Sequence, residues 1–106
     1  MSKLKRIATN EYNKYTNHMI LVKSYRVSIQ ANSQVSCIPK EDFVNPNSYI
    51  AYELIVFYNS KPVIPMAYKE LFDSKGIAKY IEKENIIKIL NYLNSIICMT
   101  MEIECL

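Results

Sequence analysis

Residues Tyr49 to Tyr58, Tyr-Ile-Ala-Tyr-Glu-Leu-Ile-Val-Phe-Tyr, form the longest apolar and β-prone run of the chain. β-Branched and aromatic side chains pack well on a pleated surface, and no Gly, Pro or Asn interrupts the run. It predicts the central strand of a sheet. Alternation along a strand puts Ile50, Tyr52, Leu54, Val56 and Tyr58 on one face and Tyr49, Ala51, Glu53, Ile55 and Phe57 on the other. The first set is apolar throughout and is expected to meet the core. The second has Glu53 alone at its middle, which predicts a strand covered at least partly on both sides.

The rest of the chain has to supply strands and helices to cover that run. With 106 residues, half of them apolar, it fits one domain able to bury about two thirds of the surface that its unfolded chain exposes. The apolar supply leaves surface over for self-association. Apolar stretches are interrupted after about ten residues, short of the roughly 20 of a membrane-spanning helix. The basic start has no apolar run behind it and does not read as a secretory signal, so cytoplasm is the expected address. Cys37, Cys98 and Cys105 show no C-x-x-C spacing and are read as reduced thiols, with no metal site. Gly76 is the only glycine, which removes the Gly-rich phosphate loops, and no cofactor is expected.

Residues 1 to 30 hold six Lys or Arg against Glu11 alone, whereas residues 31 to 106 hold seven against nine acids. The positive charge is therefore local to the N-terminal part. Residues 1–17 combine these cations with Asn, Thr and Tyr and lack a clear period, so a flexible basic arm is expected, dispensable for the fold, ahead of a single domain over 18–106. The alternation of Tyr25, Val27 and Ile29 extends a predicted strand over 19–30. A second strand over 34–38 would pair with it through a three-residue loop that sets Ile29 against Val35. Pro39 ends that pairing, and 39–48 reads as an ordered loop. Two prolines restrict 62–66 to a short edge strand. Apolar spacing of three and four predicts helices near 67–72, 76–82 and 84–96. Period two returns at 99–105, a C-terminal strand with Met99, Met101 and Ile103 on its apolar side. The expected class is thus α+β, a small and mostly antiparallel sheet packed against helices.

Candidate chemistry is sparse. His18 is the only histidine, and no neighbouring Asp, Cys or second His in the sequence completes a triad or metal site. Glu53 loses hydration on a covered strand face and needs a partner. A paired structural role explains it more simply than catalysis, although Glu53 and His18 are what a small hydrolase would use. Lys3, Lys5, Arg6, Tyr12, Lys14, Tyr15 and Arg26 gather cations and aromatic rings, as a binder of single-stranded nucleic acid does, yet no recognised nucleic-acid-binding motif accompanies them. Abundant Tyr, high apolar content and a terminal strand edge favour instead a non-enzymatic protein that binds a protein partner through these basic residues. The small size and the AT-rich codons implied by 15 Ile, 11 Lys and 10 Asn suit an accessory or inhibitor protein of phage or viral type. Met99, Met101 and Ile103 are expected to form the edge of a homodimer.

Overall fold

The computed structural model describes residues 4–7, 14–96 and 103–105, the last three as backbone only. Six strands form one antiparallel sheet: β1 (Ile20–Val22), β2 (Tyr25–Gln30), β3 (Ala51–Tyr58), β4 (Lys61–Pro65), β5 (Ile77–Glu82) and β6 (Ile103–Cys105). A kinked 3₁₀ segment, Met66–Leu71, follows β4, and a single α-helix, α1 (Lys83–Ser95), follows β5 directly. The α+β class holds. No helix among the described residues is long and apolar enough to cross a membrane.

β3 is the centre of the sheet. Its one edge pairs with β2, from Gln30 opposite Glu53 to Tyr25 opposite Tyr58. Its other edge is divided between two strands. β4 takes the C-terminal half, with Val63 opposite Val56 and Lys61 opposite Tyr58, and β5 takes the N-terminal half, with Ile77 opposite Ile55 and Glu82 opposite Ala51. Val27, Ile29, Tyr52, Leu54, Val56 and Val63 are fully buried together with Ile86, Ile89 and Leu93 of α1. The helix thus covers the face that its three- and four-residue apolar spacing fits. Each of these large apolar side chains contributes about 1.5–3 kcal/mol by leaving water.

Tight turns set the two hairpins. Asn59 and Ser60 have φ of 52° and 64°, the left-handed pair that matches the twist of a two-residue hairpin between β3 and β4. Lys23, with φ 55°, opens the turn between β1 and β2, where Val22 lies opposite Tyr25.

Five expectations about this frame are corrected. The strand expected over 19–30 folds back on itself as β1 and β2. The strand expected over 34–38 is absent, because Ile29 finds its partner in Leu54 rather than Val35. In its place Asn32 accepts a hydrogen bond from Gln34 N–H at 2.8 Å, a side-chain turn that competes with strand pairing, and only Ile38 bridges to Ala51. The helix expected over 76–82 is β5. Its register slips between Tyr52 and Leu54, so that Lys79 and Tyr80 together oppose Glu53 while Ala78 and Ile81 meet Leu54 and Tyr52. This bulge spaces two inward apolar residues three apart, which in sequence is indistinguishable from a helical repeat. The edge expected at 62–66 belongs elsewhere, because β4 lies between β3 and β6 and the sheet ends at β6. Finally, Ile50 does not meet the core but is 64% exposed, while Tyr49 and Ala51 are buried beneath the 39–48 loop.

Candidate functional site

The residues expected to form a free arm are, where described, built into the body. Arg6 bridges to Asn17, and Ile7 N–H and His18 N–H donate to the carbonyls of Thr16 and Lys5 at 2.7 and 2.9 Å. Leu4 is buried, and its backbone is held at both ends by the side-chain amide of Asn47, which donates to Leu4 O at 3.1 Å and accepts from Leu4 N at 3.0 Å.

Arg6 is the hub of this docking. Its Nη1 donates to Tyr15 O (2.7 Å), Ala31 O (2.8 Å) and Asn17 Oδ1 (3.1 Å), and its Nη2 donates to Phe43 O (2.9 Å) and the Tyr49 hydroxyl (3.0 Å). The rings of Tyr15 and Tyr49 both lie 5.7 Å from the guanidinium carbon, close enough for the ring faces to stabilise the cation. Every one of these partners is neutral. A planar five-donor fork suits such a cage, which collects carbonyls from three separate stretches of chain. Arg6 is thereby a structural cation, its donors turned inward rather than toward a partner.

Glu53 is also accounted for locally. The loop after β2 crosses above it, Ser36 N–H donates to its carboxylate at 3.2 Å, and Tyr80 N–H donates to Ser36 O at 3.2 Å. Tyr80 reaches that carbonyl from the bulge with φ 55°, a left-handed value that costs a non-glycine residue about 1 kcal/mol or more. The bulge and the carboxylate thus clamp one loop between them. Cys37, buried under the same loop, directs its thiol to Asn32 O at 3.1 Å, and burial pushes that thiol above its ordinary range.

A concave surface remains on the side of β1 and β2 opposite the helix, with a volume of about 580 Å³. Arg26, Ser28 and Gln30 line it from β2, Leu21 from β1, and His18 and Met19 from the segment leading into β1. Its floor is held by amide pairs. Asn17 N–H donates to Gln30 Oε1 at 2.7 Å and Gln30 Nε2 returns a bond to Asn17 O at 2.9 Å, so that a side chain replaces backbone where the hairpin ladder runs out. Asn17 Nδ2 donates to Ile29 O at 2.9 Å and Asn32 Nδ2 to Tyr15 O at 2.9 Å. In contrast, Arg26 and the His18 ring carry no hydrogen bond or ion pair among the described residues, and no carboxylate lines the surface. Leu21 and Met19 are 69% and 47% exposed beside them.

Of the residues picked from sequence, Arg26 and His18 therefore share one site, and Lys5 is exposed nearby in the chain that borders it. Lys14 and Tyr15 form a cation–ring pair at 5.5 Å beside Arg6. Glu53 is not part of the site lining, so the hydrolase pair is not assembled. Among the described residues no group of His, Cys, Asp and Glu is placed to hold a metal ion. Lys3, Tyr12, Met99 and Met101 lie outside the described residues, and Ile103 begins β6, opposite Pro65 at the end of the sheet. Met19 and Leu21 were missed as site residues because a continuous apolar run, 19–22, reads as buried strand. The signal was Lys23-Ser24, a polar pair that makes 19–22 a short outer arm of a hairpin.

No protein-family model, curated protein or solved structure matches this chain.

Proposed function

We propose that the protein is a non-enzymatic interaction module that binds a protein partner through the concave surface of β1 and β2. The observation that carries this reading is the exposure of Leu21 and Met19 next to an Arg26 guanidinium without a partner among the described residues. Apolar anchors beside an unpaired Arg are the composition of protein interfaces, where Met and Arg are enriched and burial of a few such side chains dominates affinity. The positive lining favours an acidic counterpart.

Binding of single-stranded nucleic acid is supported less, because it needs aromatic faces open to unstacked bases. Tyr25 is 4% exposed in the core, and Tyr15 already stacks against the Arg6 and Lys14 cations.

The test is affinity capture from native lysate, with and without nuclease, by the wild type and by Leu21→Glu. Leu21 is exposed, so the variant is expected to fold. A protein that survives nuclease and is lost with Leu21→Glu is the expected result. Recovery of nucleic acid, or equal capture by both proteins, would overturn the reading.

A further inference from the structure

A second depression, of about 380 Å³, opens beside the first, and Thr16, Asn32 and Val35 line both. The two join into one trough across the outer face. Its charges are ordered along its length. Arg26 stands at one end, directly opposite Leu21 of β1, and Asp42 stands at the other, where its two oxygens accept from Ser33 N–H at 2.8 Å and Ser33 Oγ at 3.0 Å. Those bonds fix the carboxylate without neutralising it. Leu21 and Met19 supply apolar surface beside Arg26, Val35 continues it where the two depressions meet, and the amides of Asn17, Gln30 and Asn32 are already satisfied within the fold.

We infer that the trough takes an extended peptide segment of the partner, with an acidic side chain at Arg26, apolar side chains over Leu21, Met19 and Val35, and a basic side chain at Asp42. This rests on the protein-binding reading above. A uniform polyanion fits poorly, since Asp42 repels whatever Arg26 attracts, whereas a peptide with charges of both signs satisfies each end. The four residue steps of β2 from Arg26 to Gln30 cover about 13 Å, and the turn toward Asp42 extends beyond them. In an extended ligand this places the acid and the base about four to six residues apart.

The experiment selects a displayed library of random linear peptides, about a dozen residues long, on the full chain. Selection on wild type is expected to enrich peptides with Asp or Glu and Lys or Arg at that separation and in one fixed order. Arg26→Glu should exchange the preferred acid for a base at its position only. Asp42→Asn should erase the preference for the base, and should weaken a wild-type-selected peptide up to about fivefold, the range of an exposed ion pair. Enriched peptides lacking the ordered acid and base, or a spacing untouched by either variant, would overturn the inference and leave the protein-binding reading standing. If no peptide is enriched, an extended peptide is not the occupant. Enrichment that persists unchanged on Leu21→Glu would sink the protein-binding site itself.

Discussion

Removing the Arg6 side chain should be among the most damaging single changes to this protein. Five hydrogen bonds from one guanidinium tie residues 6, 15, 17, 31, 43 and 49 together. A net hydrogen bond involving a charged group is worth about 1.5–3 kcal/mol, but the five share one side chain whose ordering and partial dehydration must be offset, so they do not add. The larger effect of Arg6→Ala is on what stays behind: three carbonyls, an amide oxygen and a hydroxyl that converge on a partly dehydrated space. A buried acceptor left without its donor costs about 1–3 kcal/mol, and because several acceptors lose theirs at once while water can re-solvate some of them, a loss of about 3–5 kcal/mol is expected here. It is a large fraction of the roughly 5–15 kcal/mol that holds a domain folded.

Urea unfolding followed by circular dichroism measures it. A slope near 1–1.5 kcal/mol per molar is expected for a domain this small, so the midpoint should fall by about 2–5 M, or the variant should be unfolded already in buffer. Arg6→Lys keeps the charge but has three donors and no fork, and should fall between wild type and Arg6→Ala. A midpoint for Arg6→Ala within error of wild type would refute the reasoning, because the cage would then be a solvated contact and residues 4–7 an undocked arm.

Ser60 holds φ 64° at the second position of its hairpin turn, where Gly is the favoured residue, so Ser60→Gly should raise the unfolding free energy by about 0.5–1 kcal/mol, read as a higher urea midpoint. Alkaline stability follows from two buried acids. Burial holds the Cys37 thiol and the Tyr52 phenol above their ordinary 9.0 and 10.0. The unfolded chain releases these protons first, so stability from this source is complete below about pH 9 and is lost as pH rises toward the folded values. Tyr52→Phe should flatten the part of that fall above pH 10, as measured by thermal melts at stepped pH, and an unchanged slope would show that Tyr52 does not titrate on unfolding.

How much of this could be read from sequence depended on whether local pattern and tertiary partner agree. β3 and α1 were legible because each has a long apolar period and each buries the face that period predicts, from Tyr52 through Val56 and from Ile86 through Leu93. β5 was not, since the bulge at Lys79 and Tyr80 gives a strand the spacing of a helix, and nothing local reveals that β4 leaves half of a β3 edge open. The hairpin of β1 and β2 was missed because Lys23 and Ser24 carry no Gly or Asn to announce a turn. For the site, the single-residue signals His18 and Arg26 were visible, while the cage of Arg6 depends on backbone carbonyls, which have no sequence signature.

Arg6 and Arg26 are the only arginines, against eleven lysines, and they show what separates a structural cation from a functional one. Both lie among the same basic residues, both are followed by an aliphatic residue, and sequence treats them alike. What differs is the supply of acceptors. At Arg6, loops 31–49 and 15–17 turn five oxygens inward, so both Nη groups are used within the fold while Nε is buried without a partner among the described residues, and the charge lies against carbonyls and two tyrosine rings. At Arg26, strand β2 commits its carbonyls to sheet pairing and its neighbours Ser28 and Gln30 bond to one another at 3.1 Å, which leaves the guanidinium no acceptor among the described residues. The same side chain therefore serves cohesion where irregular backbone surrounds it, and in the proposed reading it serves recognition where a finished sheet lies beneath it. The first role also supports the second, because Tyr15, Asn17 and Ala31, which Arg6 holds, flank the Thr16, Asn17 and Asn32 that line the trough. A guanidinium at residue 6 thus fixes the floor of the trough that the proposed reading assigns to the one at residue 26.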